Sequence, residues 1–248
     1  MWPFQTKPNL YMKASRTDWA LFDKEPLFMP GLQPLARGSY TQFEELTSII
    51  WPVDYKDVPC RLHVLVADEL TRHFLMQPLK GLRHVAELRQ AVLARFMSLY
   101  SEPANAWLLQ ADWQIKQPFI VSALPEIVLV SFKALCERQQ ARLVSVVPVW
   151  VKIYHQAMRY LPQNGWLAVA EGRSLSLLGL QTGHIVHYRH QWVSATETPA
   201  TLLKLLIREQ TAAHSTVAEK VCWVGTASWL PCSGKHDAWD FQRLELSS

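Results

Sequence analysis

The sequence is poor in glycine and cysteine and has no long apolar run. Nine glycines in 248 residues exclude a collagen-like repeat, and four single cysteines without a Cys-x-x-Cys pair exclude a disulfide scaffold and the usual zinc spacing. The most apolar run, residues 146–151, is far shorter than the roughly 18 residues that cross a bilayer. We therefore expect a globular chain with reduced, buried thiols and no membrane span of its own.

The composition is that of an ordinary globular protein. Apolar side chains make up 49% of the residues, and 25 Lys and Arg against 21 Asp and Glu leave a net charge of +4. This mild excess is spread along the chain, so it does not predict a nucleic-acid-binding surface. The N-terminal residues show no long apolar stretch followed by a small-residue cleavage site, which predicts a cytosolic location.

The predicted elements follow the same order twice. Three strands, a helix and a further strand occupy residues 10–67 and again residues 165–225, although the residues themselves do not repeat. In the first copy, Thr41 and Glu44 have the spacing of a capping box, which predicts the start of a helix. In the second copy, Thr198 is predicted to cap the helix. The chain is therefore predicted to contain two units of similar architecture.

Further elements are predicted between the two copies. An inserted unit of a strand, a long helix and two strands is followed by a helix, a strand and a connecting helix. In order, these elements are predicted at residues 70–76, 82–100, 106–114, 118–124, 127–139, 142–148 and 149–161.

This layout resembles that of the actin-like, RNase H-like superfamily. The segment "CRLHVLVADELTRHFLMQPL", the long helix after it, and residues 118–150 are similar to the cytoplasmic actin-like proteins of bacterial inner-membrane assembly platforms. These are the L protein of type II secretion, the PilM-like group of type IV pilus biogenesis and their mannose-sensitive pilus relatives. In this family an Ala-Leu-Pro opens a helix leading to a strand that ends at proline, as at residues 123–125 and Pro148.

The resemblance implies an α/β, two-lobed actin-like fold. The first lobe would span residues 1–148, with a small α+β insertion at about residues 69–124. The second, shortened lobe would span residues 149–248 and end in a C-terminal strap.

The implied function is that of a non-catalytic cytoplasmic scaffold. It would bind the cytoplasmic segment of an inner-membrane pilus or secretion assembly protein and, as a second partner, the assembly ATPase. In the pilus branch the partner inserts a short N-terminal segment into a groove, whereas the secretion L protein carries its own membrane helix. This sequence shows no such helix, so we expect a pilus-like arrangement, peripheral to the inner membrane, in which the partner supplies the anchor.

The superfamily holds nucleotide between its lobes, on two hairpins with Asp-x-Gly-type cores and a Gly-Gly turn. Residues 13–17 at the first hairpin contain no glycine, and the acid is displaced to Asp18. The second hairpin keeps Glu171 and Gly172, and the turn keeps only Gly225. Because the Mg²⁺-binding acid and the phosphate cradle are degraded, we predict no hydrolysis and no resident cofactor. These three residues mark a remnant nucleotide cleft, and an ATP-binding protein with weak or no hydrolysis is the first alternative.

Two groups of residues are candidates for partner binding. Arg72, Arg83 and Arg95 belong to a basic cluster in the insertion, which is either a solvated face or a patch that meets an acidic partner or acidic lipid heads. Trp229 and Trp239 lie in the C-terminal segment, which either packs on the second lobe or binds a partner.

Other chemistries find little support. Strand alternation places His187 on the face opposite His184 and His190, which argues against a metal site. Asp68 and Asp112 lack the further acid that a nuclease metal pair needs. A single-stranded nucleic-acid module that stacks bases on the eleven tryptophans is the second alternative, although we expect no nucleic-acid partner.

Overall fold

Two sheets that share the order of five strands form the frame of the computed structural model. The structure describes residues 7–28, 31–55, 58–171, 173–194, 199–212, 220–225, 233–236 and 239–246. The strands are β1 (Asn9–Ala14), β2 (Asp18–Phe22), β3 (Ala36–Ser39), β4 (Arg61–Val66), β5 (Arg72–Met76), β6 (Trp107–Ala111), β7 (Phe119–Pro125), β8 (Arg142–Pro148), β9 (Gly165–Glu171), β10 (Ser174–Gln181), β11 (His184–Trp192), β12 (Lys220–Gly225), β13 (Gly234–His236) and β14 (Trp239–Arg243).

The order of the first sheet is β3-β2-β1-β4-β8, and that of the second is β11-β10-β9-β12-β14-β13. In the first, an antiparallel meander is followed by β4, which is parallel to β1, and then by β8, which is parallel to β4. In the second, β12 and β14 continue a meander of β9, β10 and β11 in the same parallel way. The strand order of the predicted repeat is therefore confirmed, whereas the helix of its first copy is a short 3-10 helix, and each sheet is the centre of one lobe.

Helices cover the sheets where the sequence has an apolar stripe. They are α1 (Val85–Tyr100), α2 (Glu126–Arg138), α3 (Val149–Ala157) and α4 (Pro199–Ala212). In α2, Val128, Phe132 and Leu135 recur at helical spacing and are buried against the first sheet. In α4, Leu202 and Leu206 pack on the second sheet. No helix in the described part of the chain has both the length and the apolar character that crossing a membrane requires.

Helix α3 joins the two lobes. Its Ile153 packs in one buried cluster with Leu65 of β4 and Leu167 of β9, which belong to different sheets. The second sheet is therefore covered on both faces, by α4 and by α3, which explains why the β9 residues from Gly165 to Ala170 are all buried.

The insertion is a small sheet whose two faces have different neighbours, α1 on one side and Trp150 and Tyr188 on the other. Its strand order is β5-β7-β6, and its helix α1 packs through Leu88, Val92 and Phe96. Because side chains alternate along a strand, α1 covers Val121 of β7, whereas its neighbour Ser122 points to the other face. That second face of the inserted sheet is not covered by α1.

Two local predictions were wrong. The segment after Thr41 forms a short 3-10 helix, Phe43–Ser48, since the chain turns extended at Ile49. The acid that receives the Thr41 hydroxyl is Glu45, at 2.6 Å, and not Glu44. Thr198 lies outside the described residues, and α4 begins at Pro199.

The C-terminal segment is part of the second sheet and not only a strap. Strand β14 pairs in parallel with β12. Trp239 and Phe241 alternate towards the core of the second lobe, where they are 3% and 2% exposed.

The described cysteines are buried free thiols, as predicted. Burial raises the pKa of Cys60 to about 11 and that of Cys136 to about 12, so both stay protonated and unreactive at neutral pH. Cys222 is also buried, and Cys232 lies outside the described residues.

Candidate functional site

The cleft between the lobes is bridged by an ion pair. Lys13 at the end of β1 and Glu171 at the end of β9 are in direct contact, so a side chain of each lobe meets in the predicted remnant nucleotide cleft. Burial lowers the pKa of Lys13, and the negative charge of Asp68 opposes this effect. Glu171, a predicted remnant of the nucleotide cleft, is therefore engaged by a cation of the protein itself.

Asp68, just after β4, connects the lobes by hydrogen bonds. It is 5% exposed, and its carboxylate accepts from the Trp150 backbone N–H of α3 at 3.5 Å and from the Ser176 hydroxyl of β10 at 3.2 Å. Burial raises the pKa of Asp68 to about 7, although these hydrogen bonds oppose the rise. This acid therefore joins β4, α3 and β10.

Two histidines extend this buried network. The Nδ1 atom of His190 lies 3.1 Å from the Ser176 hydroxyl, and burial lowers the pKa of His190 to about 4. The ring nitrogens of His73 contact Thr71 Oγ1 at 2.5 Å and Ser122 Oγ at 3.1 Å, and burial holds its pKa well below the usual range. Both rings are therefore neutral hydrogen-bonding groups at pH 7 and supply no positive charge for a phosphate.

The first hairpin has its polar groups satisfied internally. The Tyr40 hydroxyl donates to the Ser15 carbonyl, and the Ser15 N–H donates to the Asp18 carbonyl at 2.8 Å. The Arg16 N–H donates to a Glu69 carboxylate oxygen at 2.5 Å. Backbone donors that would face a phosphate in a nucleotide-binding hairpin are thus occupied here by the protein's own acceptors.

Gly225 has a packing reason to be glycine. Its φ is +156°, and a Cβ built there would lie 2.2 Å from the Ala170 carbonyl oxygen on the neighbouring strand. The close approach of β9 and β12 accounts for this residue without a ligand. Gly172, its predicted companion in the cleft, lies outside the described residues.

A large groove lies beside Trp150, the residue whose backbone N–H donates to Asp68. It has a volume of about 1040 Å³ and runs between β8, helix α3 and the face of the inserted sheet turned away from α1. The lining is mainly apolar, with Leu108 and Ile120 on one wall and Val144 and Val146 on the other. A volume of this size can hold several side chains of a bound segment.

Strand β8 presents an unpaired edge to this groove. It is the last strand of the first sheet and pairs only with β4 among the described residues. The register slips between Leu62 and His63, so Val144 is an extra residue on β8 and is 43% exposed. An apolar edge strand with free backbone donors and acceptors is a template for another extended chain.

The predicted partner-binding residues lie in different surroundings. Arg72 pairs with Glu102 at 3.4 Å and lies over the Trp107 ring, so its charge is used within the insertion. Arg83 and Arg95 are exposed near opposite ends of the α1 segment. Trp239 is buried, so a partner could reach its strand but not its indole. Trp229 lies outside the described residues.

The three strand histidines are not brought together. His187 contacts the Glu209 carboxylate of α4 at 3.0 Å, while His190 contacts Ser176 on the side of α3. Within the described ranges no three His, Cys, Asp or Glu side chains form a group that could hold a metal ion.

Sequence reasoning missed both the ion pair of Lys13 and the groove. In the sequence Lys13 is only one residue of a hairpin without glycine, and nothing local links it to Glu171. The groove wall did leave a signal, because Leu108, Gln110 and Asp112 alternate along and just after β6, so that one face of the inserted sheet is mixed in polarity.

The architecture of this chain is similar to that of several solved structures. No protein-family model and no curated protein matches the chain. The solved cytoplasmic domain of EpsL, an inner-membrane component of the type II secretion system of Vibrio cholerae, is similar over 97% of this chain and 90% of that one, with 12% identity and a TM-score of 0.57.

Two further structures are similar. A Bacteroides thetaiotaomicron protein with an actin-like ATPase fold and unknown function matches 92% of this chain and 86% of its own, with 13% identity and a TM-score of 0.54. A chain of the PilM-PilN type IV pilus biogenesis complex matches over 89% and 82%, with 11% identity and a TM-score of 0.53. The chain therefore has the two-lobed actin-like fold of the EpsL cytoplasmic domain and the PilM-PilN complex, as its repeated strand order predicted.

Proposed function

We propose that this protein is a non-catalytic scaffold of an inner-membrane assembly platform of the type IV pilus or type II secretion kind. The groove between β8 and the inserted sheet is the observation that carries the proposal. In it the scaffold holds an extended cytoplasmic segment of a membrane-anchored assembly protein. The fold shared with a type II secretion component and a pilus biogenesis complex supports this class of partner.

The edge of β8 supports binding by strand addition. A segment laid along β8 would satisfy the free backbone groups of that edge and bury the exposed parts of Val144 and Val146. Backbone pairing would give affinity, and apolar side chains at alternate positions of the segment would fill the space towards Leu108 and Ile120.

The cleft supports a role without catalysis. The ion pair of Lys13 with Glu171 and the hydrogen bonds of Asp68 occupy the region where an actin-like ATPase places phosphate and metal. Phosphoryl transfer depends on such positioning, and the described residues of this cleft use their polar groups on each other.

The proposal includes the organisation of the chain. The first lobe comprises residues 1–148 with the insertion at 69–124, and the second lobe comprises residues 149–248. The protein lies at the cytoplasmic face of the inner membrane through its partner, and the assembly ATPase is its second partner.

A comparative capture experiment tests the groove. Immobilised wild-type protein and the variant Val144→Glu are incubated with detergent-solubilised inner membranes of the source bacterium, and bound proteins are quantified by mass spectrometry. Val53→Glu is the matched control, because Val53 is 86% exposed and outside the groove. We expect pilus or secretion assembly proteins to bind the wild type and the control and to be lost from Val144→Glu. Equal recovery on all three proteins would contradict the proposal.

A further inference from the structure

One end of the groove carries a single formal charge. Asp112, the residue after β6, lines the groove and is exposed. The lining contains no glutamate, lysine or arginine, and apart from Asp112 its ionisable side chains are Tyr154, His155 and His184. Among the described lining residues, the Asp112 carboxylate is therefore the one formally charged group in a predominantly apolar lining.

This carboxylate has no cationic partner in the described part of the chain. Its hydrogen bond comes from the side-chain amide of Gln114, a neutral group. Neither His155 nor His184, which share the groove, forms an ion pair with it, and neither does the nearby Lys116. The negative charge therefore remains uncompensated where a ligand would lie.

The field of Asp112 reaches into the groove. Burial raises the pKa of Tyr154, a lining residue from α3, and the negative charge of Asp112 adds to that rise. Asp112 thus acts across the groove and not only on its own strand. A charge flanked by apolar walls discriminates strongly between ligands, because an opposite charge is attracted while an equal charge is repelled.

We propose that the groove selects an extended apolar segment that carries a cationic group, either a Lys or Arg side chain or a free N-terminal ammonium, and that this group pairs with Asp112. The inference rests on the proposed function and specifies its partner. The apolar part of the segment lies along β8, and the cation lies at the Asp112 end. Asp112 is then the residue that determines specificity, whereas β8 supplies most of the binding surface.

The test uses a random 12-residue peptide library displayed on phage and panned on the full-length protein. Enriched peptides are synthesised, and each is also made with its basic residue replaced by Gln or its N-terminus acetylated. Dissociation constants are measured by fluorescence anisotropy for the wild type and for Asp112→Asn, Val144→Glu and Asp54→Asn. Asp54→Asn is the matched control, because Asp54 is exposed and outside the groove.

The expected peptides combine an apolar run with a basic residue or a required free N-terminus. Removing the cation should weaken binding to the wild type by about fivefold, the upper range for an exposed ion pair, and should have little effect on Asp112→Asn. Asp54→Asn should behave like the wild type, and Val144→Glu should bind all peptides weakly.

Two results would overturn the inference in distinguishable ways. Val144→Glu could weaken the binding of peptides that bind the wild type equally well with and without their cation. That result would refute the role of Asp112 and leave the groove as a binding site. Failure to enrich any peptide that depends on Val144 would refute both the groove and the selectivity.

Discussion

Replacing Asp68 by Asn should change how the stability of the fold depends on pH. Folding buries this carboxyl and raises its pKa from 3.8 to about 7. The folded protein therefore keeps the proton on Asp68 over a range in which the unfolded chain has lost it. The stabilisation linked to Asp68 is complete below about pH 4 and is lost as the pH rises to about 7.

The magnitude follows from the same two pKa values. One unit corresponds to about 1.4 kcal/mol, so a rise from 3.8 to about 7 corresponds to about 4 kcal/mol in the free energy of unfolding. Between pH 5 and 8 the expected change is about 3 kcal/mol, nearly all of it below pH 7. An Asn side chain does not ionise, so Asp68→Asn should become more stable relative to the wild type by this amount as the pH rises.

The comparison with the variant is needed because buried histidines act in the opposite direction. His190 and His73 have lowered folded pKa values, so they stabilise the fold increasingly as the pH rises towards 6.5. Both proteins contain them, and the difference between the two removes most of their contribution. Two other charged residues interact with Asp68. The charge of Glu69 raises the pKa of Asp68, and the charge of Asp68 raises the pKa of Lys13.

Urea denaturation at pH 5, 6, 7 and 8, followed by circular dichroism, measures these free energies. Asp54→Asn serves as the control, since Asp54 is exposed. Parallel pH profiles for Asp68→Asn and the wild type would refute the reasoning, because they would show that Asp68 does not hold a proton in the folded protein.

Three further predictions concern the cleft and the second lobe. Mg²⁺-ATP should leave the melting temperature of the wild type unchanged. A ligand that bound the folded protein would add about 2.7 kcal/mol to the free energy of unfolding at about 100 times its Kd. A clear rise in melting temperature would therefore contradict the view that the protein's own side chains occupy the cleft. Gly225→Ala should lower the free energy of unfolding by roughly 1–3 kcal/mol more than Gly81→Ala. Both glycines have a positive φ, but of the two only Gly225 would place a Cβ against backbone atoms. Equal losses for the two variants in urea denaturation would refute the packing explanation. Trp239→Ala should lower the free energy of unfolding by about 3–5 kcal/mol. Trp192→Ala should lower it by less than about 1 kcal/mol, because Trp192 is 56% exposed. Similar losses for the two variants would show that β14 is not part of the core.

The sequence predicts most of the strands well because they carry a local signal. The run Arg142–Pro148 and the meander of β9 to β11 have clear apolar patterns between turn residues, and the predicted strand 142–148 has the observed bounds. The predicted helix at Thr41 failed because the capping signal is followed by only six helical residues. The segment Trp239–Arg243 is short and rich in polar residues, so its place in the sheet depends on pairing with β12, which no local pattern contains.

The candidate site is less visible in the sequence than the fold. The absence of glycine from the first hairpin can be read directly, but the ion pair that bridges the cleft joins residues of two lobes and arises from their arrangement. The burial of Asp68 likewise comes from β10 and α3 packing against the end of β4. The groove forms between an edge strand and the face of the insertion turned away from α1, so it depends on how these units are placed and not on one motif.

The most direct measurement is photo-cross-linking from the groove in living cells of the source organism. A photoreactive amino acid replaces Leu108, which is 37% exposed on the groove wall opposite β8, and the cross-linked product is identified by mass spectrometry. The account predicts an adduct with the cytoplasmic segment of an inner-membrane pilus or secretion assembly protein, absent when the same group replaces Val53. No adduct at Leu108, or the same adduct from both positions, would contradict it.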